Sequence, residues 1–247
     1  MKYFFFSFLL ISFAFNCNAQ EVFGIRGGVG VSSLQFEKGY QATPKPGIGV
    51  NFGVDYLLKI NAPLDFESGL FFRQKGQRIK KTGTVMSLNA TFMNKDEMLT
   101  YRLNYLYLPL CLNYKFNSSL FVSGGIYMAY GLKGLYLRRS TYTDSKTNEV
   151  VRKENYKTEL LRKVPRDGFT GSEVFRKFDC GLILGAGYRF SRFCVRADFD
   201  LGLLTSVKIN DPFFPFDLDE NNKKFKNRSL SLSMVYYLSD KYYDIRF

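Results

Sequence analysis

The chain contains no histidine. That absence removes the usual general base and proton shuttle, so no Ser-His or Asp-His site can be assembled. It also withdraws imidazole from the metal ligands and leaves only scattered thiols. No catalytic residue, metal site or cofactor is expected. Cysteine is nearly as scarce, at four in 247 residues. Once an N-terminal leader is set aside, Cys111, Cys180 and Cys194 remain, and three thiols at irregular spacing make no disulfide framework. Strand alternation puts Cys180 and Cys194 on opposite faces, so free thiols packing as small apolar groups are expected.

Long apolar runs are missing too. Beyond Gln20 nothing approaches the ~18 to 20 consecutive apolar residues of a spanning helix. A helical membrane protein is excluded. A β-barrel is not, because its strands alternate and average to modest hydropathy. The one apolar run, residues 3–15, follows Lys2 and precedes Cys17-Asn18-Ala19. This is the pattern of a secretory signal peptide, residues 1–19, leaving a domain of residues 20–247. Lipidation at Cys17 fits less well, since Phe15 and Asn16 make a poor approach to a lipidated cysteine.

What the chain does have is period-two alternation. In Ile48-Gly49-Val50-Asn51-Phe52-Gly53-Val54-Asp55-Tyr56 every even residue is large and apolar, and every odd one is Gly, Asn or Asp. Successive strand side chains point to opposite faces. Eight such segments follow one another: 22–36, 47–60, 64–75, 104–114, 120–133, 178–190, 195–203 and 230–238. The gaps between them run long, short, long, short. The stretches 76–100 and 138–177 are polar or charged without sustained periodicity and are read as long loops, the second with extension of its flanking strands as an option. Pro109, lacking an N–H, predicts a bulge or a local gap in pairing. The fold class is therefore all-β: an eight-stranded antiparallel up-and-down transmembrane β-barrel with long extracellular loops and short periplasmic turns.

Alternation alone also suits a soluble exported barrel holding an apolar ligand, greasy inside and polar outside. Two features favour the membrane form. Glycines crowd the polar face (Gly49, Gly53, Gly69, Gly125, Gly131, Gly181, Gly185, Gly187), as a narrow lumen requires. Charges of both signs sit at strand centres on the same face. Arg26, Asp55, Glu67, Arg73, Asp179, Arg189, Arg196, Asp198 and Asp200 are accordingly assigned to a polar network in the lumen. Tyr56, Tyr114, Tyr130, Tyr188 and Tyr236, near strand ends, suit an interfacial girdle.

The formal net charge is +13, concentrated in connections such as Arg78-Ile79-Lys80-Lys81 and residues 138–177. Solvated loops account for most of it. The sharper reading is contact with outer-membrane lipid head groups and lipopolysaccharide. Nucleic acid is not an expected partner of an exported chain. Asp179, Asp198 and Asp200 could be imagined as a carboxylate site, but Arg189 and Arg196 on the same face can neutralise them. Residues 217–222 lack the glycine of a calcium loop, and Arg228 stands where its final Glu is needed.

A family resemblance rests on several of these segments. They are the signal peptide, Pro46-Gly47-Ile48-Gly49-Val50, Glu67-Ser68-Gly69-Leu70-Phe71-Phe72-Arg73-Gln74-Lys75-Gly76, Tyr105-Leu106-Tyr107-Leu108-Pro109-Leu110, Gly185-Ala186-Gly187-Tyr188-Arg189-Phe190 and the serine-leucine last strand. Together they resemble the PorT-like outer-membrane β-barrel proteins of Bacteroidota. The resemblance implies an eight-stranded barrel in the outer membrane, and its namesake is linked to a secretion machinery. The long basic third outer loop and the tail after Leu238 depart from the family pattern. The function expected is non-enzymatic, structural or interactive, linked to protein secretion or envelope integrity, with protein partners in such a complex. The alternatives are the soluble ligand-binding barrel and a small porin-like channel.

Overall fold

The computed structural model describes residues 21–35, 43–86, 92–159, 165–166, 169–170, 177–205 and 226–238. The expected leader (1–19), the acidic run 217–222 and the tail 239–247 lie outside the described residues. The strands are β1 (Glu21–Gln35), β2 (Thr43–Lys59), β3 (Leu64–Met86), β4 (Phe92–Lys115), β5 (Leu120–Asp144), β6 (Val150–Glu159), β7 (Pro165–Arg166), β8 (Phe169–Thr170), β9 (Phe178–Phe190), β10 (Phe193–Thr205) and β11 (Lys226–Tyr237). Among the described residues β7 and β8 pair only with each other.

Eight strands close a ring, β1-β2-β3-β4-β5-β9-β10-β11, with β11 returning to β1. Closure gives each of the eight strands a neighbour on both sides along the belt, the condition for placing backbone in hydrocarbon. The registers give its pitch. Glu21 pairs with Leu58, then Phe66, Leu112, Gly124, Leu184, Phe199 and Leu230, which meets Val31, ten residues above the start. A shear of that size over eight strands tilts them by about 40° and leaves an interior that side chains can fill.

The two faces are opposite in chemistry to those of a soluble barrel. Along β11, Leu230, Leu232 and Met234 are each more than half exposed, whereas Ser229, Ser231 and Ser233 are buried. Leu70, Phe52, Val54, Ile126 and Leu184 continue the exposed apolar belt around the ring. Towards the short-turn end the belt finishes in rings in mutual contact: Phe23–Tyr56, Tyr114–Phe116, Phe190–Phe193 and Phe193–Tyr236. Tyr130 stands at the other end, opposite Phe178.

The turns at this end are tight for local reasons. Asn117 Oδ1 accepts from the amides of Ser119 (2.9 Å) and Leu120 (2.6 Å), an Asx-type turn. Between β9 and β10, Ser191 takes φ 53°.

Several expectations are corrected. Residues 76–86 and 92–100 are not loop: β3 and β4 pair from Phe71–Tyr107 through to Met86–Phe92. Residues 138–144 extend β5, the option left open above, and residues 150–159 form the additional strand β6, paired from Leu135–Glu159 to Thr143–Val150. Above the membrane neither face must be greasy, so the ladder persists after the sequence alternation has faded. β5 uses one edge twice, its lower part pairing with β9 and its upper part with β6. The result is a four-stranded sheet, β3-β4-β5-β6, rising beyond the membrane. Its inner side buries Ile79, Leu99, Tyr101 and Tyr136.

Strict alternation also points Lys133 inward, yet it is exposed. Tyr105 pairs with Gly131 and Asn104 with Lys133, so Leu132 is an extra, bulged residue that resets the facing of everything above it. Pro109 leaves a gap: the β3–β4 pairing skips from Ser68–Leu110 to Phe71–Tyr107 without changing register.

Glycine is required where β2 crosses β3. Their register shifts by one between Pro46 and Asn51. A Cβ on Gly49 would lie 1.9 Å from the Gln74 carbonyl oxygen, and one on Gly47 would lie 2.4 Å from the Gly76 carbonyl carbon. Ser32 bridges the irregularity, its Oγ donating to Gly76 O (2.9 Å) and accepting from Gly76 N (2.7 Å).

Candidate functional site in the lumen

Inward positions carry charges because period two aims them there, and the shear then decides which of them meet. An ion withdrawn from water costs several kcal/mol unless paired and hydrogen-bonded. The lumen pairs its ions in three tiers above an apolar floor, and among the described residues the Lys75 ammonium is held by ion pairs without a hydrogen bond. The floor, at the short-turn end, is Val22, Leu57, Phe121, Cys194, Val235 and Tyr237, each at most 1 % exposed.

On the floor lies Arg189, its guanidinium 4.5 Å from the centroid of the Phe121 ring. It donates to Asp65 Oδ2 at 3.0 Å, and Lys115 holds the other oxygen at 2.9 Å. The middle tier centres on Glu67. Its carboxylate accepts from Arg26 (2.5 Å), from Asn113 (2.7 Å) and from Arg196. Arg26 also donates to both oxygens of Asp55 at 2.7 Å, and Arg196 Nε to both oxygens of Asp198 at 3.0 Å. Two arginines and three carboxylates thus form one contiguous cluster.

The upper tier is built on Asp200 and Asp179. Asp200 pairs with Arg73 at 2.8 Å and accepts from Tyr107 (3.1 Å) and Ser229 (2.8 Å). Lys75 lies 3.5 Å from Asp200 and 3.6 Å from Asp179, above the Tyr127 ring. Asn227 and the Tyr127 hydroxyl donate to Asp179 Oδ2 at 3.0 and 3.3 Å. Between Arg26, Arg73, Tyr107 and Asp198 a void of about 20 Å³ remains, room for one water.

The structure places all nine predicted network residues on the lumen side, buried: Arg26, Asp55, Glu67, Arg73, Asp179, Arg189, Arg196, Asp198 and Asp200. The pairing differs from the simplest neutralisation scheme. Arg196 does hold Asp198, but Arg189 serves Asp65 at the floor, while Asp179 and Asp200 are served by Lys75 and Arg73. Sequence reasoning puts Asp65 and Lys75 on the inward face of their strand without assigning them to the network, and leaves out Asn113 and Asn227. All four share the parity of their strands' inward residues, so the signal was present, although Asn227 precedes the segment read as the last strand. Cys111 and Cys194 are buried and free, and Cys180 is free on the outer face. Among the described residues no group of His, Cys, Asp or Glu side chains is arranged to hold a metal ion.

A family model described as outer membrane protein beta-barrel domain matches residues 18–207. Among solved structures, the chain is similar to Ail, the attachment invasion locus protein of Yersinia pestis, in complex with the heparin analogue sucrose octasulfate. The two share 13% identity over 89% of this chain and 99% of that one, with a TM-score of 0.36. It is also similar to Neisserial surface protein A, at 11% identity over 87% and 96%, TM-score 0.31. The toluene transporter TodX of P. putida aligns at 9% identity over 92% and 91%, TM-score 0.23. No curated protein matches the sequence.

Proposed function

The chain belongs to the family of outer-membrane protein β-barrel domains, and on that premise we propose that it is a non-enzymatic scaffold of the outer membrane, closed to solutes, that works through what it presents outside. The observation that carries this reading is the contrast between the two halves of the molecule. The lumen is filled by paired charges from floor to mouth, whereas β3, β4, β5 and β6 continue far beyond the apolar belt as an ordered sheet. A chain without histidine supplies no general base of the usual kind, and each lumen carboxylate already has a cationic partner.

The finer reading is a PorT-like role, as a subunit of a secretion or envelope-integrity complex, with the outer sheet docking a protein partner and its basic residues facing lipid and lipopolysaccharide. Crosslinking in intact cells followed by purification tests it. The expected result is a stoichiometric protein partner whose crosslinks map to residues 76–86, 92–104 or 133–159. Repeated recovery of the barrel alone would overturn the complex. The porin-like alternative predicts steady conductance in a planar bilayer; the filled lumen predicts none.

A further inference from the structure

The outer surface carries a row of cations at one level just above the apolar belt. We propose that Lys45, Arg78, Arg102 and Lys133 form a binding site for the phosphate groups of a phosphorylated glycolipid in the outer leaflet. The proposal rests on the membrane reading above and names the lipid that one face of the sheet contacts.

The argument starts from the tilt. Because the ring climbs ten residues per circuit, positions at equal height step diagonally across the strands. Lys45 pairs with Arg78. Arg102 lies two positions nearer the membrane than Thr100, the partner of Arg78. Lys133 lies two positions nearer the membrane than Leu135, the partner of Arg102. The diagonal follows the slope of the ring, so four cations from four strands stand at nearly one height. All four side chains are exposed, and the Leu132 bulge is what turns Lys133 outward to complete the row.

The surroundings fit a phosphate group. Gly76 is the residue opposite Arg102, so no side chain stands across the strand pair from that arginine. The level below is polar, with Gln74 Nε2 donating to Asn104 Oδ1 at 3.2 Å. Among the described residues Lys45, Arg78 and Arg102 have no carboxylate partner. The outward acid Asp96 lies six positions further from the membrane than Arg102. Four positions below Arg102, and six below Arg78, come the exposed Leu106 and the half-buried Phe72, the top of the belt. Guanidinium forks match phosphate oxygens. A free anion would gain little at so open a surface, whereas a lipid whose chains lie against the belt holds its phosphates at this height at high effective concentration.

The test uses the full mature chain in phosphatidylethanolamine nanodiscs doped with bis-phosphorylated lipid A or with its dephosphorylated form. Retained lipid is counted by native mass spectrometry, and folding of each variant is confirmed by its heat-modifiable gel mobility. Wild type should retain the phosphorylated form preferentially. Arg78→Gln with Arg102→Gln should lower retention about tenfold, while Arg139→Gln with Lys153→Gln, higher on the same face, should not change it. Three outcomes would overturn the site: equal retention of both lipids, equal loss in both variant pairs, or displacement by millimolar inorganic phosphate. No protein partner takes part, so failure here leaves the crosslinking test of the scaffold reading untouched.

Discussion

Glu67 on β3 and Arg196 on β10 form an ion pair across the full diameter of the barrel, from strands four places apart in a ring of eight. Arg73 and Asp200 repeat the same cross-brace one tier higher. Removing one member of such a pair strands a buried charge. Glu67→Ala leaves Arg26 and Arg196 facing each other and should cost about 3–5 kcal/mol. Urea titration in lipid, followed by heat-modifiable mobility, measures it; a loss below about 1 kcal/mol would mean that the pair is solvated.

Gly185 makes room for this network. A Cβ there would come within 2.4 Å of Asp198 Oδ1 and 2.5 Å of Ser123 Oγ, both already engaged by Arg196. Gly185→Val should therefore destabilise the barrel by about 1–3 kcal/mol through overpacking. Gly27, where a Cβ would meet nothing within 4 Å, is the control, and its alanine variant should stay within about 0.5 kcal/mol of wild type. Equal effects at both positions would contradict the packing argument.

The outward face can be tested at two heights. Leu232 is 56 % exposed in the middle of β11, where the surrounding medium is hydrocarbon. Leu232→Arg should cost about 2–4 kcal/mol in lipid, as a charge at the bilayer midplane does. Thr82→Arg, exposed on the sheet above the membrane, should change stability by no more than about 0.5 kcal/mol. If both arginines were tolerated alike, Leu232 would be facing water.

Much of this arrangement was legible because one period governs the membrane strands. Parity alone sends Asp55, Glu67 and Arg196 inward and Leu230 and Leu232 outward. Three things were not legible, each for a physical reason. The upper lengths of β3 to β6 bury only scattered apolar residues such as Ile79 and Leu99, without a sustained greasy face, so residues such as Arg78 and Lys80 read as loop although their backbone is paired. The Leu132 bulge inverts facing with no sequence mark of its own. Which charges meet depends on shear and strand order. Parity could therefore place Arg189 in the lumen but could not match it to Asp65 three strands away.

The tip of the β5–β6 hairpin offers a local pH prediction. Asp144 Oδ1 accepts from the amides of Lys146 (2.7 Å) and Thr147 (3.1 Å), beside Asn148 at φ 56°. These two backbone donors hold its carboxyl below the usual value. A lowered folded value means that the charged form belongs to the ordered turn. The contribution is complete above the ordinary carboxylate range and is lost as pH falls through the lowered value. The amide proton shifts of Lys146 and Thr147 should hold constant from neutral pH to that point and then move together. In Asp144→Ala they should sit at the released position at every pH, with barrel unfolding unchanged. Identical shifts in wild type and variant at neutral pH would show that the carboxylate does not organise the turn.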